Sequence, residues 1–154
     1  MDKAFKLNIE VVNKSSNELP SYGSKQASGF DIRANLDNSV TIGSLERYIV
    51  PTGLYFNIPD SCEIQIRPRS GLAAKNGVTV LNTPGTIDSD YTGEVKIILV
   101  NLSKEDFTIN HGDRIAQGVV ATVFTERIIN LTNVNEITKE TERGEGGFGS
   151  TGIK

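Results

Sequence analysis

Asp88 and Asp90 stand two residues apart beside Tyr91, in a run from 84 to 93 that reads Pro-Gly-Thr-Ile-Asp-Ser-Asp-Tyr-Thr-Gly. Carboxylates in that setting can bind a metal, take a proton or hold a sugar hydroxyl. Pro84, Gly85 and Gly93 bracket them as turn residues. Apolar, strand-like runs lie on both sides, at 78–81 and 95–100. The pattern predicts two strands that lead into and out of a small acidic, aromatic cluster. An exposed hairpin rarely needs that chemistry for folding alone.

A second constellation is Arg67-Pro68-Arg69-Ser70-Gly71-Leu72-Ala73. The spacing predicts a strand that ends and a short helix that begins. A helix start offers free N–H groups and the positive end of the dipole. Ser70 adds a hydroxyl, Gly71 lets an anion approach the backbone, and Arg69 adds a forked cation. These features describe a phosphate cradle; they equally describe a serine N-cap at Ser70 beside a surface arginine. Gly77 is placed to end the same helix.

The third lies in residues 143–152, Arg-Gly-Glu-Gly-Gly-Phe-Gly-Ser-Thr-Gly. So many glycines cannot hold a strand or helix unaided. Phe148 is the one large apolar residue there, and a flexible segment gains little by exposing it unless it covers something flat. One reading is a lid, with Phe148 stacked on a base and Arg143, Ser150 and Thr151 on phosphates. The other is a disordered tail. Asp31, near the start of a predicted strand, is a turn acid or a site residue. Gln117, in Arg114-Ile115-Ala116-Gln117-Gly118, interrupts an apolar strand and either faces an edge or points into a site.

The rest of the chain limits the chemistry. His111 is the only histidine and Cys62 the only cysteine, so no histidine triad, zinc cluster or internal disulfide can form within one chain. There is no Walker-type or Rossmann glycine pattern. A net charge of −3 gives no general attraction to nucleic acid. No apolar run nears the roughly 20 residues of a membrane span. The lack of a secretory leader and the single cysteine predict a cytoplasmic protein.

These residues need a scaffold to position them, and 154 residues with 37% hydrophobic content suffice for one cored domain. Period-two alternation at 6–11 and 62–67 predicts strands. Residues 95–100, more continuously apolar, predict a strand buried on both faces, and 115–124 predict another long strand. Cys62 shares the phase of Ile64 and Ile66 and is expected in the core. Tyr22, Tyr48 and Tyr55 are expected to pack or line the surface. Short strands separated by Gly, Pro, Asn and Asp indicate an all-β sandwich or barrel with one short helix.

Taken together, five segments resemble the trimeric deoxyuridine triphosphatases in the family's order: 27–34, 67–78, 80–94, 112–119 and 143–152. The Gly-x-Ile-Asp-x-Asp-Tyr-x-Gly and Arg-Gly-x-Gly-Gly-Phe-Gly-Ser-Thr-Gly forms are highly specific together. The resemblance implies a distorted jelly-roll or β-barrel (β-clip) over residues 1–142. It also implies a flexible glycine-rich lid over 143–154 that completes a neighbouring subunit's site in a homotrimer. It implies Mg²⁺-assisted hydrolysis of dUTP to dUMP and pyrophosphate, which limits uracil in DNA and supplies dUMP for thymidylate synthesis.

By the same resemblance, Asp88 is the general base and Tyr91 packs under the deoxyribose. Asn82, with backbone around Gly85 and Ile87, reads uracil. Arg69, Ser70, Gly71 and Gln117 hold the α/β-phosphates. Arg143, Ser150 and Thr151 hold the γ-phosphate, Phe148 covers the base, and Gly149 also belongs to the substrate-binding set. Asp31 reaches the metal through water. Asp90 braces the hairpin or a neighbouring subunit. Two alternatives stand beside this reading: a dCTP deaminase of the same fold, and a dUTP-responsive binding protein.

Overall fold

The computed structural model describes residues 6–148. Two compact units divide at Phe124 and Thr125. In the first, the strands run β1 (Glu10–Asn13), β2 (Phe30–Arg33), β3 (Val40–Ile42), β4 (Arg47–Pro51), β5 (Leu54–Asn57) and β6 (Cys62–Arg67). After α1 (Ser70–Asn76) come β7 (Val78–Val80), β8 (Gly85–Ile87), β9 (Lys96–Asn101), β10 (Phe107–Ile109) and β11 (Arg114–Thr122). The expected all-β class with one short helix is what forms. The strands make an open, distorted jelly roll rather than a closed barrel, with sheet orders β2-β11-β6-β8, β4-β9-β7, β1-β5 and β3-β10. No helix among the described residues is long and apolar enough to cross a membrane.

Every pairing between these strands is antiparallel. Alternation therefore sorts side chains to one face or the other. Ile64 and Ile66 of β6, Ile32 of β2 and Ile115 of β11 point into the core, which Ile97, Leu99, Val50, Val78 and Val80 close from the second sheet. β9 is central in its sheet, and Ile97, Leu99 and Val100 are all buried. This explains its continuous apolar sequence.

Two local expectations change. The strand expected at 6–11 forms only from Glu10, because its partner β5 is four residues long and leaves nothing opposite Leu7 to Ile9. Cys62 is half-buried at the end of the β6–β11 ladder, packed against the core rather than within it.

The buried amide of Asn101 is the polar pivot of this unit. It is 0% exposed. Its Nδ2 donates to the carbonyls of Ile42 (2.9 Å) and Glu105 (2.7 Å). Its Oδ1 accepts from the N–H and hydroxyl of Ser103 at 2.9 and 2.8 Å. Replacing Asn101 with alanine strands these partners, so Asn101→Ala is expected to cost about 2–4 kcal/mol of stability. Urea unfolding of the variant against the parent measures it.

Candidate active site

The acidic hairpin grows from the end of β7. Leu81 N–H donates to Ile98 O at 2.8 Å, and the Thr83–Pro84 peptide is cis. The chain then re-enters a sheet as β8, whose Gly85 lies opposite Ile66 and Ile87 opposite Ile64. A Cβ on Gly85 would stand 3.1 Å from Ile66 Cβ and 3.4 Å from Asn82 Nδ2. Glycine thus lets the hairpin fold closely over β6 with the Asn82 amide above it.

Asp88 follows directly. Its carboxylate is exposed and its carbonyl accepts the Tyr91 N–H at 3.1 Å. The Tyr91 hydroxyl donates to Glu94 O at 2.9 Å. Its ring lies so close to Gly93 that a Cβ there would sit 2.6 Å from the hydroxyl oxygen. Ile49, Thr86, Ile87, Asp88, Tyr91 and Ile98 border an open cavity of about 340 Å³. Val95 adds to its apolar wall, and Glu94 and Lys96 line it too, so it offers two carboxylates, one ammonium and one phenol. Asp90 is exposed on the same turn.

Three other predicted residues meet at the far end of the larger sheet. Gln117 of β11 lies opposite Asp31 on one side and Arg67 on the other. Its Nε2 donates to Pro68 O at 3.0 Å. A Cβ on Gly29 would come within 2.7 Å of its Oε1, so a glycine leaves the amide room. Arg69 reaches back across the row, with its Nε 3.0 Å from Asp31 Oδ1. Arg114 Nη1 stands 3.2 Å from the other oxygen, Asp31 Oδ2. Arg69 also donates to Arg114 O at 3.0 Å. Asp31 therefore organises two guanidinium groups.

Sequence reasoning passed over Arg114. Only the irregular register between Arg114 and Ala116 on β2 marks it, and that register belongs to the folded ladder. The expected serine cap is also corrected. Arg69, extended at φ −95° and ψ 127°, occupies the N-cap position, and no side chain caps α1. The ties of Arg69 to Asp31 and Arg114 hold its backbone there, so Ser70 becomes the first helical residue. Gly77 does close the helix, at φ 65°. A Cβ on Gly71 would meet nothing within 4 Å, so this helix start is open to solvent.

The hairpin and this cradle occupy opposite ends of one sheet. β8 runs antiparallel to β6, so Asp88, one past Ile87, falls opposite Glu63. The cradle begins at Arg67, four residues further along β6, or about 13 Å at the usual rise of a strand.

The second unit contains no strand or helix among its described residues. Arg143 Nε donates to Gly146 O at 2.7 Å across a tight turn with Gly144 at φ 51°. Phe148 is fully exposed. Gly149, Ser150 and Thr151 lie outside the described residues. Among the described residues no three His, Cys, Asp or Glu side chains cluster to hold a metal.

Comparison with known proteins adds an independent line. A family model described as dUTPase matches residues 15–152. The deoxyuridine 5'-triphosphate nucleotidohydrolase of Finegoldia magna is 49% identical over 147 residues, 95% of this chain and 99% of that protein. The structure of Staphylococcus bacteriophage 80alpha dUTPase with dUPNHPP superposes with a TM-score of 0.84 at 26% identity, covering 96% of this chain and 100% of that one. A mutant dUTPase from phage phi11 of S. aureus, described with a structural Mg(II) ion, is similar in fold at a TM-score of 0.75 and 22% identity, covering 86% of this chain and all of that one.

Proposed function

This chain belongs to the dUTPase family and hydrolyses dUTP to dUMP and pyrophosphate, and from that premise we propose how its own residues divide the work. Asp88 is the general base: it orients a water for attack on the α-phosphorus, takes the water's proton, and bonds the sugar 3′-hydroxyl. The new bond is water oxygen to α-phosphorus; the bond that breaks joins that phosphorus to the bridging oxygen, which leaves with pyrophosphate. Tyr91 packs beneath the deoxyribose and crowds out a 2′-hydroxyl. Asn82 pairs with the uracil edge, and backbone at Gly85 and Ile87 completes the pattern. The tight hairpin rejects the thymine methyl, and the hydrogen-bond pattern rejects cytosine.

Arg69, Ser70, Gly71 and Gln117 hold the α- and β-phosphates. The open start of α1 and the paired guanidinium groups at Asp31 support that role. Arg143, Ser150 and Thr151 take the γ-phosphate, Gly149 binds substrate with them, and Phe148 covers the base. The separation of Asp88 from the cradle of the same chain supports a site shared between subunits. A base about 13 Å from the phosphates along one sheet cannot touch their water. One chain then supplies the hairpin, a second the cradle and a third the tail, as a homotrimer allows.

The described residues suit a magnesium ion carried on the substrate rather than in a protein cage. Mg²⁺ keeps several waters and takes phosphate oxygens readily. Asp31 uses both oxygens on arginines, yet a carboxylate has further lone pairs with which to accept from that water shell. When bound, the ion neutralises phosphate charge as the pyrophosphate departs.

The observation that carries this reading is the pairing of an open cavity bordered by Tyr91 and Asp88 with a two-arginine cradle on the same fold. Pyrophosphate release is the test. The protein should release it from dUTP, and at least about 10²-fold less efficiently from UTP, dCTP and dTTP. Ammonia release from dCTP, or equal use of UTP, would overturn the assignment.

A further inference from the structure

Glu94 lies just past the hairpin, where nothing in its sequence context distinguishes it from a solvent-facing acid. In the structure its side chain is mostly covered, at 20% exposure. Its Oε1 accepts the N–H of Gly53 at 2.9 Å. Gly53 forms the turn between β4 and β5, at φ 69°, and a Cβ there would lie 2.8 Å from Ser15 N. The turn is therefore packed and firm.

Its neighbours join the same clamp. Thr52, 1% exposed, donates its hydroxyl to Val95 O at 2.6 Å and accepts from Leu54 N–H at 3.1 Å. Val95 N–H donates to Leu54 O at 2.9 Å. Residues 94 and 95 are thus pinned to residues 52–54 from both side chain and backbone. The outward face of the same peptide does something else: Glu94 O accepts the Tyr91 hydroxyl at 2.9 Å.

We infer that Glu94 is a positioning residue for sugar discrimination: its carboxylate, held on the Gly53 N–H, fixes the carbonyl that anchors the Tyr91 hydroxyl. The inference rests on the reading of Tyr91 as the group that excludes a 2′-hydroxyl. Steric exclusion requires a stiff wall. A ring free to retreat by one ångström accommodates the extra oxygen and loses the selection. Tyr91 is itself half-exposed, and its stiffness comes from the Gly93 backbone beneath it and the Glu94 carbonyl at its tip. Lys96, with Nζ 3.7 Å from Glu94 Oε2, is exposed and screened, so the short bond to Gly53 is the connection that matters.

The test compares kcat/KM for dUTP and for UTP in the intact protein and in Glu94→Ala, Glu94→Gln, Glu94→Asp and Tyr91→Ala. Glu94→Ala should lower the dUTP-to-UTP ratio about tenfold, mainly by raising UTP use, the scale set by losing one hydrogen bond to a charged acceptor. Glu94→Gln keeps an oxygen acceptor of the same reach and should hold the ratio within about threefold of the parent. Glu94→Asp withdraws the carboxylate by one methylene and should fall with alanine; it carries the comparison if Glu94→Ala does not fold.

Tyr91→Ala separates the two levels. A collapsed ratio in Tyr91→Ala with a parental ratio in Glu94→Ala and Glu94→Asp overturns the role of Glu94 and leaves that of Tyr91 standing. A parental ratio in Tyr91→Ala overturns both. Equal losses in Glu94→Gln and Glu94→Ala also overturn the inference, because hydrogen-bond acceptance would then not be what Glu94 provides.

Discussion

Asp88→Asn should lower kcat for dUTP by about 10²–10⁴-fold, the usual contribution of a positioned general base. Binding should change far less. The amide matches the carboxylate in shape and can still accept a hydrogen bond from a sugar hydroxyl, but it cannot take the water's proton. The local fold has no stake in the charge. The Asp88 side chain is exposed, and the turn is held by its backbone carbonyl on Tyr91 N–H. Titration of the variant with a non-hydrolysable dUTP analogue should therefore give a Kd within a few fold of the parent, while pyrophosphate release under saturating dUTP nearly stops. Near-parental turnover would remove Asp88 from the base role.

Deleting residues 143–154 should have an effect of similar size by another route. The truncated chain loses Arg143 and Phe148, together with Gly149, Ser150 and Thr151. A base stacked on an aromatic ring contributes about 1–3 kcal/mol. A guanidinium on phosphate adds about 1.5–3 kcal/mol. Activity, as kcat/KM, should fall by about 10²–10⁴-fold. The fold should survive, because among the described residues every buried apolar side chain lies between Phe30 and Val119. A parental melting transition and oligomer size alongside lost activity is the expected result. A truncated protein with full activity would sink the lid.

The opening acidic hairpin illustrates how far residues alone could go. Asp88, Asp90 and Tyr91 announced a site, but their types left metal binding, proton transfer and sugar binding equally open. Among the described residues of one chain, no three His, Cys, Asp or Glu side chains cluster at the hairpin. The structure adds an open cavity beside Asp88 and Tyr91, with apolar and polar residues in its wall. Strand β6 was legible to the residue, since its alternation runs the length of its ladder with β11. Strand β1 was not, because strand length depends on the partner as well as on the pattern. The cap of α1 was misplaced for a related reason. Ser70 has the better local chemistry, yet Arg69 is held in extended backbone by partners 38 and 45 residues away, Asp31 and Arg114.

What the sequence determined by itself was the local and the compositional: strand periodicity, the glycines that tight turns demand, the exclusion of histidine and cysteine chemistry, and five motifs whose order points to one family. These follow from side-chain types and short-range geometry, which a linear chain carries in full. The tertiary structure decided which motifs meet. Antiparallel register sets Gln117 between Asp31 and Arg67 and draws Arg114 onto the same carboxylate. The same register carries Asp88 away from the cradle of its own chain. It also brings Glu94 to Gly53, so that a turn 38 residues upstream of Tyr91 braces its hydroxyl. Long-range hydrogen bonds of this kind depend on how the sheets pack, and no local pattern encodes them.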